Sequence, residues 1–253
     1  MQAASVPFKE GVSSPSCFRL IWRLVIVAVI AWGLFLNFYG AFGSFQSWVF
    51  LYYTSLSNIA VMLLFGVLCC TDAAALLKDR RDLSNGARLG KVKTALTWAI
   101  LVTGLVWHLV LVPVAGSRIQ DPQTVAYFLP LLDTVNAGNL LLSMIFLHSY
   151  APLLVFLDWL FFDRKGTLSP AVPLSWLLIP AGYFAFICAW VYGVGPVNST
   201  YQLTFPYSVI DFTAHPAIEV WRNVGLMAAG MLVLAYLFWA LDRMLGQKSR
   251  PQV

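Results

Sequence analysis

Three histidines occur in the chain, and two of them, His108 and His148, lie in apolar runs long enough to cross a bilayer. A charged side chain at the centre of the hydrocarbon costs about 2.5 kcal/mol or more, so a titratable ring there faces a bundle interior or a wet cavity. His148 sits near the middle of the run from Asn136 to Phe162. A neutral imidazole at that depth either locks two helices together by a hydrogen bond or serves as a base, and residue type leaves both readings open. Thr54 and Asn58 are four residues apart in a second apolar run, and so share a helix face with Ser57 beside them. Hydroxyls and amides in such places often only bridge helices, at about 0.6 kcal/mol each. Ser55 and Ser57 are assigned that role, while Thr54 and Asn58 are open to chemistry as well. His108 lies about a turn and a half below the end of its run at Pro113, at a depth similar to that of Thr54, with packing as its simpler reading. Asn139 and Ser143 precede His148 on its own run. Nine positions separate Asn139 from His148, which at 100° per residue puts them on roughly opposite faces, so they need not share one site.

Metal chemistry finds little support. Asp211, His215 and Glu219 follow one another at four-residue spacing, but Pro216 interrupts the helix that a ligand set on one face would need. No CxxC or HExxH motif is present, and the four cysteines include no pair placed for an extracellular disulfide. Neither a metal nor a cofactor is expected.

The elements that position these residues are membrane helices. Hydrophobic residues make up 60% of the chain and charged ones 11%, against roughly 45–50% and 25% in soluble domains. Apolar runs of spanning length recur at 19–39, 48–70, 94–114, 136–162, 173–193 and 222–242, each near the 20 or so residues that cross about 30 Å of hydrocarbon. The runs are continuous where barrel strands would alternate, so the expected fold is all-α, with six transmembrane helices. The first run lacks the small-residue exit of a cleaved signal peptide. Residues 1–18 then form an N-terminal segment, 19–242 the membrane domain and 243–253 a tail.

Of sixteen basic residues, all but Arg118 and Arg222 fall on one side of this arrangement, counting Arg19 and Arg23 with the N-terminal flank. The positive-inside rule therefore places both termini in the cytoplasm, in a cell (inner) membrane protein. The basic loop 78–93 interleaves its charges with Asp79 and Asp82 and has no stacking aromatics, which argues against a nucleic-acid partner. Membrane lipids are the expected surroundings, and the oligomeric state is not encoded in any visible pattern.

Two further features bear on the site. Pro152 removes a backbone hydrogen bond one turn beyond His148 and predicts a kink there, while Asp158 and Trp159 read as anchors at the inner interface. The segment from Gly193 to Glu219 is too long for a simple connector and too apolar for a solvated linker, which suggests a cap over the outer mouth. Counting rise along straight helices puts Thr54 a few ångströms below the outer surface and His148 roughly 15 Å down, so direct contact requires tilt.

Several of these residues also carry a family resemblance. Phe50-Leu51-Tyr52-Tyr53-Thr54 resembles the second-helix motif of the androgen-induced and androgen-dependent TFPI-regulating proteins. His148-Ser149-Tyr150-Ala151-Pro152, continuing to Asp158, is similar to their histidine-centred helix, and Phe205-Pro206-Tyr207 to the aromatic motif of their last outer loop. The NLLL, HxxxPLL and LDW elements look closer still to bacterial six-helix members of that superfamily. The resemblance implies an intramembrane hydrolase of lipid esters, such as fatty acid esters of hydroxy fatty acids, with Thr54 as nucleophile and His148 as its partner. Read physically, neutral His148, with a reference pKa near 6.5, would take the Thr54 proton, and an acyl-threonine would form and be released by water. Asn58 and His108 are the expected oxyanion donors, and Asn139 a substrate contact. The alternatives are a lipid-binding or transport protein whose polar residues line a cavity, and a membrane acyltransferase.

Overall fold

The computed structural model describes residues 16–78, 87–111, 135–200 and 202–248. Much of the N-terminal segment, Arg80 and Arg81 of the basic loop, the stretch 112–134 with Arg118 and its Asp121-Pro122 turn, and the tail from 249 lie outside the described residues. The chain is a multi-pass, all-helical membrane protein: six helices, Cys17–Gly40, Tyr53–Leu77, Leu89–Leu109, Ala137–Phe162, Val172–Gly193 and Ala217–Gln247, are long and apolar enough to cross a membrane. Among the described residues the only extended pairing is an isolated bridge between Asn198 and Leu203.

The span limits differ from the apolar runs for electrostatic reasons. The second span starts at Tyr53, because Ser47–Leu51 form a separate 3₁₀ turn, and it runs past Asp72. The third begins earlier than Thr94 and takes in Lys91 and Lys93. Asp72 and Lys93, which pattern reading places outside the membrane, thus sit inside helices in ion pairs, while Lys91 is exposed. Arg19 Nη2 is 2.7 Å from Asp72 Oδ1, Arg23 Nη1 is 2.8 Å from Asp72 Oδ2, and Arg23 Nε is 3.3 Å from Asp158 Oδ1. The Lys93 ammonium joins Asp158 and Asp163. Arg19, Arg23, Asp72, Lys93 and Asp158 are all buried. Asp158 is therefore no interface anchor, and Arg19 and Arg23 are no solvated flank. Together these residues tie the first four spans at what is called here the charged end.

Apolar packing follows the same division. Ile26, Ile30, Val61, Phe65, Leu147 and Val155 join the first, second and fourth spans in one core. Trp98, Trp159, Trp176 and Phe238 form a second core from the third to the sixth. A third lies at the end opposite the charges, where Leu51, Ile187 and Val191 pack against Val197, Phe205 and Ile210 of the segment between the fifth and sixth spans. Half of the third span's apolar window is buried (50%) against 11% of the sixth, so the first four spans make the body and the sixth lies along its side.

Candidate active site

His148 is placed by a local widening of its helix. The fourth span is α-helical over Ala137–Ile145, turns through a π-helix at Phe146–Tyr150, and resumes as α-helix at Ala151–Phe162. Pro152 explains the break, since it has no N–H with which to close a bond to the His148 carbonyl four residues back. The expected kink thus takes the form of a π turn that carries the histidine itself, a feature common at functional positions. Two glycines let neighbouring helices approach this turn. A β-carbon at Gly33 would lie 2.9 Å from the Phe146 side chain, and one at Gly104 would lie 2.9 Å from the His148 carbonyl oxygen.

The imidazole is 6% exposed, stacked on Trp107 with ring centroids 4.4 Å apart. Its Nδ1 lies 3.1 Å from the Met144 carbonyl oxygen. A carbonyl can only accept, so Nδ1 carries the proton, and in the neutral ring Nε2 presents its lone pair. That nitrogen is 3.2 Å from Thr54 Oγ1. Thr54 lies in the first turn of the second span and is only half-buried. The depth difference drawn from straight helices is therefore overturned. From Thr54 to Asp72 the axial rise is about 27 Å and from His148 to Asp158 about 15 Å; Thr54 and His148 meet directly, whereas Asp72 and Asp158 are joined only through the long side chain of Arg23.

The other expected site residues are placed differently. Asn58 is fully buried, and its Nδ2 donates to the carbonyls of Thr54, at 2.9 Å, and Leu147, at 3.3 Å. Both amide protons are directed at carbonyls, so Asn58 joins the Thr54 turn to the residue before His148. Its Oδ1 is left buried without a partner. His108 Nε2 lies 2.9 Å from Ser149 Oγ at an exposed position beside the histidine turn. Asn139 Nδ2 donates to the Gly40 carbonyl at 2.8 Å and ties the fourth span to the end of the first, so it makes no part of the pair. Ser57 takes the bridging role expected of it, with Oγ 3.1 Å from the Thr54 carbonyl oxygen and 3.2 Å from Thr103 Oγ1. Asp211 Oδ1 accepts from Thr213 and Ala214 in its own turn, and His215 Nδ1 lies 3.6 Å from Glu219. Among the described residues no three metal-ligating side chains come together.

One neighbour of the pair had a sequence signal but no assigned role. Tyr207, from the segment between the fifth and sixth spans, comes to the start of the second span, close to Tyr53 and Thr54. Tyr52 and Tyr183 pack edge-on against its ring at 5.5 and 6.4 Å. Burial pushes the phenol above its usual range, with the Thr54 and Tyr53 contacts pulling the other way, so it keeps its proton at neutral pH.

Thr54 and His148 thus form a hydrogen-bonded pair whose direction is set by the Met144 carbonyl, which fixes the histidine tautomer so that Oγ1 donates and Nε2 accepts. Such a pair suits withdrawal of the threonine proton by Nε2. Compared with known proteins, the chain matches no family model, no curated protein and no solved structure. Two apolar grooves on its surface, of about 200 and 430 Å³, are lined by neither Thr54 nor His148.

Proposed function

We propose that the protein is an intramembrane hydrolase of lipid esters, with Thr54 as nucleophile and His148 as general base. The single observation that carries the reading is the 3.2 Å contact between Thr54 Oγ1 and an imidazole nitrogen whose tautomer leaves it proton-free. The resemblance of the Thr54, His148 and Phe205-Pro206-Tyr207 motifs to the androgen-induced protein superfamily supports the same chemistry. The charged end faces the cytoplasm in this reading, with both termini, and the Thr54 end faces outward in a cell membrane.

The reaction runs in two halves. Nε2 takes the Thr54 proton as Oγ1 bonds to the ester carbonyl carbon. The C–O bond to the leaving alcohol then breaks, and that alcohol takes the proton from Nε2–H. Water repeats the sequence on the acyl-threonine: its proton goes to Nε2, its oxygen bonds to the carbonyl carbon, and Thr54 recovers its proton as the acid departs. The transient imidazolium has the Met144 carbonyl dipole against Nδ1–H in place of a carboxylate, and in a medium of low dielectric that hydrogen bond is stronger than in water.

The test is turnover of fluorogenic long-chain acyl esters and branched fatty acid esters by purified protein in lipid nanodiscs. Release of fatty acid that is abolished in both Thr54→Ala and His148→Ala supports the reading. Ligand binding without turnover assigns the protein to lipid binding or transport, and a new ester among the products assigns it to acyl transfer.

A further inference from the structure

The turn that carries His148 leaves two carbonyl oxygens without the donors a regular helix would give them, and both losses trace to Pro152. In an α-helix the Leu147 carbonyl accepts from the Ala151 N–H and the His148 carbonyl from the N–H of residue 152. Here the Ala151 N–H goes to the Phe146 carbonyl instead. The donor that this wider π spacing would offer Leu147 is the N–H of residue 152, which a proline lacks. Leu147 is fully buried, so its carbonyl needs a partner from elsewhere in the protein. Asn58 of the second span supplies it: Nδ2 is 3.3 Å from the Leu147 oxygen and 2.9 Å from the Thr54 oxygen. We infer that Asn58 is a positioning residue for His148, its amide replacing the donor that Pro152 withholds from Leu147 and so holding the histidine turn where Nε2 meets Thr54 Oγ1. The catalytic consequence rests on the hydrolase reading of that pair; the clamp itself does not.

Chemistry fixes which way the amide faces. Two carbonyl oxygens can only accept, so the donating end of Asn58 must lie toward them. Its Oδ1 is then left buried without a partner, which costs stability. A side chain needed only to fill space would carry no such acceptor, and leucine has the same branch at Cγ. What the amide does that leucine cannot is join the two segments of the pair, through the carbonyl of Thr54 itself and that of the residue before His148. On another side of the turn the His148 carbonyl, the second one stranded by Pro152, meets Gly104 of the third span. The turn is thus held from two helices, by a hydrogen bond from one and by close packing against the other. Ser55, three residues before Asn58 and fully buried, carries a hydroxyl with no hydrogen-bond partner among the described residues. It is the control for loss of a buried polar group from the same helix.

The first test needs no substrate: melting temperatures of wild type, Asn58→Leu, Pro152→Ala and the double variant in lipid nanodiscs. Pro152→Ala restores the N–H at position 152 and lets the turn close as an α-helix, with Ala151 serving Leu147. Asn58→Leu is therefore expected to be less destabilising in that background than in wild type, by about 2 °C or more. Equal shifts in the two backgrounds overturn the inference. Should Asn58→Leu fail to fold alone, the clamp requires that it fold together with Pro152→Ala, and failure in both likewise overturns it. The second test is turnover of acyl esters per folded molecule. Asn58→Leu is expected to lower kcat about 100-fold, as a misplacement of about 1 Å does, with KM within about twofold, while Ser55→Ala leaves kcat unchanged. Turnover that is lost in Thr54→Ala but kept in Asn58→Leu overturns the positioning role and leaves the hydrolase reading intact. Turnover absent from wild type, or kept in Thr54→Ala, sinks that reading and the catalytic role of the clamp with it, and the melting temperatures then decide whether Asn58 holds the turn.

Discussion

The carbonyl oxygen of His148 faces Gly104 of the third span so closely that a β-carbon there would stand 2.9 Å from it and 3.0 Å from the Pro152 ring. Neither neighbour is the loose end of a side chain, so the contact cannot be relieved by a rotamer change. Gly104→Ala is expected to push the π turn outward and draw Nε2 away from Thr54. A misplacement of about 1 Å at a catalytic pair costs up to about 100-fold in rate, and overpacking costs about 1–3 kcal/mol in stability. Gly182→Ala, where an added β-carbon meets nothing within 4 Å, is the control and leaves both unchanged. Rates per folded molecule for the two variants decide the matter; equal rates would show that the histidine turn is not held by this approach.

If Thr54 and His148 act on one proton, as the proposed mechanism has it, their losses do not add. If Thr54→Ala removes essentially all turnover, the double variant with His148→Ala falls no further, because neither group performs its step alone. Thr54→Ser keeps the hydroxyl and retains measurable rate. The wild-type rate falls with decreasing pH along a single limb, since a protonated imidazole has no lone pair at Nε2 to receive the threonine proton. Additive losses, or an acid limb that persists when turnover is measured in His148→Ala, would separate the two residues.

How far the sequence discloses this arrangement differs from residue to residue. The six spans are legible because continuous apolar stretches of fixed length have few other uses. Thr54 and His148 stand out because polar groups in hydrocarbon demand a partner. Their contact is not legible, since the depth of His148 is counted from Asp158 as if that residue marked the interface, and its burial against Arg23 and Lys93 removes the fixed level from which the count starts. Asp72 and Lys93 are hidden for a related reason: a buried charge reads as a solvated one until its counter-ion, on another helix, is known. Asn58 shows the limit for side chains, because its type fits a donor to substrate or a clamp on two carbonyls, and only the positions of the Thr54 and Leu147 carbonyls choose. The segment between the fifth and sixth spans reads as a cap from its length and apolar character, but nothing local says that Phe205 and Tyr207 would pack on Leu51 and Tyr52 at the start of the second span.

Lys165, just beyond the fourth span, gives stability a pH dependence of its own. It donates to the carbonyls of Trp159 and Asp163 and lies 4.2 Å from the Trp159 ring centroid. Burial pulls its ammonium down from 10.5 to about 8, against the opposing charge of Asp163. Between those two values the unfolded chain binds the proton and the folded one does not, so stability rises with pH across that window, and below about 8 the full cost of burying the charge is present. Lys165→Met removes the titration. The difference in melting temperature, wild type minus variant, is expected to grow in favour of wild type from about pH 8 upward, and a flat difference across that range would mean that the ammonium is better hydrated than its surroundings suggest.

Asp158 tests whether the charged end holds the fold or the chemistry. It binds Arg23 of the first span and Lys93 of the third from a position about 15 Å along the helix from His148. Asp158→Asn leaves both cations with one carboxylate each, Asp72 for Arg23 and Asp163 for Lys93. Breaking a buried pair in this way costs about 3–5 kcal/mol, because a desolvated charge loses its partner. The melting temperature should therefore drop sharply while kcat per folded molecule is preserved, since no atom at the Thr54 end is touched. Adding Lys93→Met removes the cation that Asp158→Asn leaves in excess and is expected to restore part of the lost stability, so the double variant is more stable than the sum of the two single losses predicts. Additive losses would show that Lys93 and Asp158 are not coupled. A loss of kcat equal to that of Thr54→Ala would mean that the fourth span transmits the charged end to the histidine.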